Sequence, residues 1–403
     1  MIREIDTEAC LETFSQVVRV NSCSGTPGEA DLARHLAGEM RALGLEVEIQ
    51  EVGDGRLNAI GTLRGTGGGK RTMLNGHIDT NPLTMGWTVD PWGGLRTDKF
   101  VFGLGSSNMK AGIAAYLCAA RELTRQGVRL RGDLTIAYVC GELQGGVGTL
   151  KMIEKGIKAD YFVVGEPTDL AGVTIHAGTY DFEIELTGET RHMSKREEAG
   201  DATAAAAELA LRINDLRFPG AASADHEAVI RCHVGTMRSA LTPKFDESRR
   251  VQVADFARLT GSCRYAPSQT QDQVAGILRG LADEVCRKRG KVSAVVRQYL
   301  RPGVKPMLPF EVEKSSPLVQ SMNRNYLALS GRPQPTGAIP PPCFFNSDAC
   351  HLQNFGGVRD GIVCGAGGRY NTMSDERVDI EDYLLAVKLY ASVASDLCEV
   401  SSR

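Results

Sequence analysis

Apolar positions recur at helical spacing over 6–20 and 29–43, and Asp6-Thr7 and Thr26-Pro27-Gly28-Glu29 supply helix start signals. The chain then changes period. Residues 45–49 alternate, 58–63 read as the next strand, and a short apolar run from 72 ends at Gly76. The glycines between them (Gly65, Gly67, Gly68, Gly69) form no phosphate-binding pattern and read as a surface turn. A helix is predicted over 109–126, a buried-type strand over 134–140, another helix after Thr149, and a strand over 161–164. This recurrence of strand, polar loop and helix predicts an α/β sheet domain with helices on both faces. In such sheets the loops at the carboxyl ends of the strands build the site.

Near residue 175 the pattern changes again. Strands at 179–187, 228–234, 252–265 and 292–299, with helices at 202–216 and 270–288, give a β-α-β-β-α-β order of half-buried strands. That order predicts a small α+β domain inserted into the first. Residues 301–306 read as the return linker, and helices at 316–330 and 380–397 complete the sheet domain. The expected division is 1–175 and 303–403 for the sheet domain, with 176–302 inserted.

Composition narrows the function classes. A net charge of −3, with Lys and Arg scattered, gives no electrostatic case for nucleic acid. The run Arg287-Lys288-Arg289 sits at a predicted helix end, where basic residues suit the dipole. No apolar run could span a bilayer, and no signal-peptide pattern opens the chain. Eleven cysteines lack paired spacing, and Cys10, Cys118, Cys286 and Cys398 fall within apolar helical patterns as buried thiols. A reduced, cytoplasmic protein is the expectation.

Candidate chemistry centres on Gly76-His77-Ile78-Asp79-Thr80. In extended chain His77 and Asp79 project to one side, so Asp79 can orient the imidazole. Such a pair serves a metal-ligating histidine or a general acid/base equally well. Four further landmarks follow in order: 103–112, with Asn108 expected to cap the next helix; 142–149, led by Glu142; Gly165-Glu166-Pro167-Thr168; and 371–378, led by Asn371.

Together these segments resemble the zinc-dependent aminoacylase, deacetylase and carboxypeptidase family, which includes acetylornithine deacetylase and succinyl-diaminopimelate desuccinylase. The resemblance covers nearly the whole chain and implies an α/β catalytic domain with an inserted, dimerising lid, hence a homodimer. It also implies a site. In that family two zinc ions share an Asp, and a Glu-Glu pair supplies first the general base and then a ligand. By this resemblance His77 and Glu166 match ligands of the first zinc and Glu142 matches the base. Three ligand positions differ: the shared Asp is Asn108, the second Glu is Leu143, and a C-terminal His is Asn371. A pair of zinc ions is therefore not expected; a single ion would use His77, Asn108 and Glu166.

The resemblance places His192 where a lid histidine polarises the substrate carbonyl, and Arg264 where an arginine holds a carboxylate. Arg suits that bidentate task. Asp348 also matches a position near the site, and Asn108, Asn371, Asp348 and Arg264 are the expected substrate-binding residues. Plainer roles stand beside these. Glu142 suits a helix N-terminus, Glu166 suits a solvated loop, and His192 and Arg264 suit a surface. His176, His226, His233 and His351 read as structural.

Because the losses fall on metal ligands and spare acid/base groups, the favoured reading is an enzyme without a metal cofactor. Glu142, His77, Asp79 and His192 would then act on a small carboxylate-bearing, amino-acid-like substrate. C–N bond cleavage or formation, elimination, cyclisation and isomerisation all stay open. The alternatives are a mononuclear zinc deacylase of N-acyl amino acids and a non-catalytic binding relative.

Overall fold

The strand Thr72–His77 is buried at every position, and so is its neighbour Leu134–Val139. Strands covered on both faces need unbroken runs of this kind. In the computed structural model, which describes residues 2, 4–300 and 304–401, they occupy the middle of an eight-stranded mixed sheet. Its order is Glu46–Gly53, Arg56–Leu63, Leu134–Val139, Thr72–His77, Tyr161–Val164, Asp360–Val363, Gly172–Val173 and Thr336–Gly337. Thr72–His77 runs parallel to both of its neighbours. Its carboxyl end therefore opens beside the ends of Leu134–Val139 and Tyr161–Val164, and the three loops that follow carry Asp79, Glu142 and Glu166.

Helices cover this sheet. Thr7–Arg19 starts where Asp6 accepts from the Ala9 N–H at 3.0 Å. It packs with Ala111–Arg125, which in turn packs on Ile380–Leu397. Gly76 lets the helix Ala111–Arg125 approach the strand Thr72–His77 closely: a Cβ there would come within 2.5 Å of Met109 and 2.7 Å of Ile113. Gly28–Ala42 lies on Arg56–Leu63, where Met40 occupies the space a side chain at Gly61 would take.

Contacts divide the chain into two units, Met1–Ile175 with Phe310–Arg403, and His176–Pro309. The second unit holds a four-stranded antiparallel sheet in the order Arg231–Ala240, Phe256–Tyr265, Gly178–Thr187, Ser293–Gln298. Its helices are Ala202–Asn214 and Gln271–Arg289, the latter opened by a capping box of Thr270 and Gln273. Residues 228–234, expected as one strand, divide. Ser223 caps the short helix Ala224–Ala228, and the strand begins only at Arg231. Residues 301–303 of the expected linker lie outside the described residues.

Candidate active site

His77 ends the central strand and is almost wholly buried, at 2% exposure. Its Nδ1 lies 2.8 Å from the Asp79 carbonyl oxygen and 3.4 Å from the Asp79 carboxylate. The expected pairing is thus made mainly through the backbone. The Asp79 carboxylate does a second job. It accepts from the Glu142 N–H at 3.1 Å, the Leu143 N–H at 3.2 Å and the Ser24 hydroxyl at 3.0 Å. Asp79 therefore fixes the ring with its carbonyl and the Glu142 turn with its carboxylate. Burial opposes its ionisation, but His77 and the bonds from Ser24 and Glu142 hold its carboxyl below the ordinary range.

With Nδ1–H committed to a carbonyl, Nε2 carries the ring's other function. It faces the Asn108 Oδ1 at 3.2 Å and the Glu166 Oε1 at 3.5 Å. Two acceptor oxygens converge on one ring nitrogen, so the space between them calls for a proton or a cation. Ligand atoms of His77, Glu142 and Glu166 all lie within 4.8 Å of one another. Without a cation the proton takes the place: burial works against charging His77, but Glu166 and Asp79 raise it well above its ordinary value. Glu142 is driven the same way, first by burial and then by Glu166.

This donor set bears on the expectation of a site without metal. One imidazole nitrogen, a carboxylate oxygen and a carboxamide oxygen suit a single divalent ion. Among the described residues the one group of His, Cys, Asp and Glu side chains placed to hold an ion is His77, Glu142 and Glu166, and Leu143 offers no side-chain donor atom. The expectation that Asn108 caps a helix is also corrected. Asn108 is extended (φ −164, ψ 99), the helix begins at Ala111, and the carboxamide goes to His77 instead.

Surrounding residues hold the loops. Arg56 bonds both Glu29 oxygens at 2.7 Å and also donates to the Gln144 side chain, bracing the turn Glu142–Gln144 from behind. His351 faces the Gly145 carbonyl at 3.0 Å, consistent with its expected structural role. Asn371 has a buried Oδ1 without a hydrogen-bond partner among the described residues. Its loop is tied to the Asn108 loop, since the Gly368 N–H donates to the Ser107 hydroxyl at 2.8 Å. Ser24, Arg56 and Ser107 were not singled out from the sequence, where each is an ordinary polar residue without a motif.

Asp348 is 1% exposed, and both of its oxygens lack a hydrogen-bond partner among the described residues. Burial raises its carboxyl to about 7, against the opposing pull of the nearby Thr149 hydroxyl and His77. A carboxyl raised on folding contributes stability below its unfolded value of 3.8 and loses it as pH rises through about 7. In chelator-treated protein, Asp348→Asn should therefore gain on the wild type as pH rises, reaching on the order of 3 kcal/mol at pH ~8. Urea midpoints at pH ~5 and ~8 check this, and a difference independent of pH would contradict it.

The second unit carries the remaining candidates. His192 is exposed, and its Nδ1 accepts from the Ser194 N–H at 3.2 Å. Arg264 is more enclosed than a surface arginine, and its guanidinium donates to the hydroxyls of Thr179 and Ser262.

The chain is similar to known proteins over much of its length. The model of peptidase family M20/M25/M40 matches residues 73–396. An N-formyl-4-amino-5-aminomethyl-2-methylpyrimidine deformylase of Bacillus subtilis is 28% identical over 263 residues, 60% of this chain and 59% of that protein. An acetylornithine deacetylase of Proteus mirabilis is 30% identical over 217 residues, 51% of this chain and 55% of that protein. The chain thus spans between 55% and 59% of the length of these two curated relatives. Among solved structures, aminopeptidase PepT of Bacillus cereus superposes with a TM-score of 0.78 at 18% identity, over 98% of this chain and 100% of that one. A dinuclear metal-binding M20 peptidase of Bacillus subtilis gives 0.67 at 14% identity, over 98% and 99%. The family match runs from the strand that delivers His77 through to the closing helix, and the chain belongs to peptidase family M20/M25/M40.

Proposed function

We propose that this protein is a hydrolase that removes a small acyl group from an amine or amino-acid nitrogen, using one divalent ion. The observation that supports it is the convergence of Asn108 Oδ1 and Glu166 Oε1 on His77 Nε2 with the Glu142 carboxylate alongside. His77, Glu166 and Asn108 would hold the ion. When bound, such an ion polarises the acyl carbonyl and makes water more acidic.

The chain's own groups do the rest. Asp79 keeps the His77 proton on Nδ1, leaving Nε2 as the donor atom. The same carboxylate anchors the Glu142 backbone, so the base is held by the residue that orients the ligand. Glu142 would take the proton of the attacking water and return it to the leaving nitrogen. The names of the two curated relatives, a deformylase and a deacetylase, agree with a small acyl group leaving a nitrogen.

This reading replaces the preference for metal-free chemistry. In an ion-free site burial and then Glu166 push the Glu142 carboxyl well above its ordinary value, which favours the protonated form over the base. A neighbouring cation reverses that by favouring the carboxylate.

The test is elemental analysis after exhaustive dialysis, together with a panel of N-formyl and N-acetyl amines and amino acids. About one ion per chain with chelator-sensitive release of formate or acetate is expected. Full turnover after the ion has been removed would overturn the proposal.

A further inference from the structure

Glu376 follows the polar turn Ser374-Asp375, yet it is only 2% exposed. Among the described residues it makes no direct ion pair, and the buried Lys110 nearby gives its ammonium to the Val18 and Val20 carbonyls. A buried carboxylate not matched to a cation must be held by donors. Here the donors are backbone: Oε2 accepts from the Gly105 N–H at 3.1 Å, and Oε1 from the Ser107 N–H at 2.8 Å. The Glu376 carbonyl accepts from the Gly103 N–H at 2.9 Å. One residue thus grips three positions of the segment that ends in Asn108.

That segment needs gripping. Gly103 and Gly105 have positive φ (150° and 77°), and Asn108 is extended immediately before a helix. Glycines of this kind leave a loop many conformations, and nothing in the local sequence selects one. Its end carries the carboxamide that meets His77 Nε2. The strand Arg377–Asp379 then pairs with Phe100–Phe102, fastening the same loop at its other end.

We infer that Glu376 is a positioning residue of the site: by holding the N–H groups of Gly105 and Ser107 it places the Asn108 oxygen on His77 Nε2. It acts through the loop and touches neither substrate nor ion. Only the kinetic consequence rests on the hydrolase reading.

The test uses the full chain labelled with 15N-histidine. Glu376→Gln keeps the shape but offers one acceptor oxygen, and its amide N–H groups confront an N–H of the loop. The ring-nitrogen signals of His77 should move while those of His226 and His351, which have other partners, stay in place. For whichever acyl substrate is turned over, kcat should fall about 10–100-fold with KM changed no more than about twofold, the usual scale for residues that orient a site from outside it. Glu376→Asp, which keeps two acceptors but reaches less far, should give an intermediate shift and carries the test if the Gln variant does not fold. Unchanged His77 signals in a folded variant would overturn the inference. Absence of any turnover in the wild type would overturn the hydrolase reading and leave the spectral result standing.

Discussion

Glu142→Gln should lower kcat about a thousandfold while leaving KM within about threefold. General-base catalysis contributes roughly 10²–10⁴, and Gln keeps the volume and the backbone N–H that binds Asp79. What is lost is the carboxylate alone. The substitution should not unfold the protein, because it replaces a group that burial drives toward its neutral form. Urea midpoints should therefore match or exceed those of the wild type while single-turnover rates collapse. Rates within tenfold of the wild type in a folded Glu142→Gln protein would mean that another group takes the proton. A fall in KM alongside kcat would instead indicate that the carboxylate repels bound substrate. The result separates base from structural acid directly: a residue that only favoured the following helix would cost stability and spare the rate.

Much of this arrangement is legible in the chain. Thr72–His77 and Leu134–Val139 declare themselves because each is a short, uncharged run with apolar residues at its centre, and the second unit because its strands alternate. His77, Glu142 and Glu166 come together because each follows a strand of one sheet, so finding the strands finds the cluster. The missing parts depend on distant partners. Asn108 reads locally as a helix cap, whereas the residues before it, Gly105 and Ser107, bond Glu376, 268 positions further on than Asn108. Glu376 itself reads as a solvated acid in a polar turn; its burial follows from the pairing of Arg377–Asp379 with Phe100–Phe102. The helix Ala224–Ala228 is too short for periodicity to show, and its signal is the single cap Ser223. The preference for ion-free chemistry came from counting absent ligands. The proposed single ion rests instead on orientation, since two oxygens are aimed at one imidazole nitrogen.

Glu166→Gln should cost more than about a hundredfold in zinc affinity. Partners that only orient a ligand already cost roughly 10–100-fold when removed, and among the described residues Glu166 is the carboxylate paired with His77 Nε2. Competition with a fluorescent chelator measures this without reference to turnover. The wild type adds a sign that can be checked. Glu166 and Asp79 hold His77 well above its ordinary value despite burial, which favours the protonated ring in the ion-free protein. Binding an ion at Nε2 must expel that proton. Zinc affinity should then rise with pH, by close to tenfold per unit for each proton released from His77 or Glu142, and flatten above their raised values. Glu166→Gln removes the largest group favouring that proton, so its curve should flatten at lower pH than the wild type as well as lie below it. Equal affinities for wild type and variant would place the ion elsewhere. A variant that is weaker but keeps the wild-type pH curve would mean that Glu166 binds zinc without charging His77.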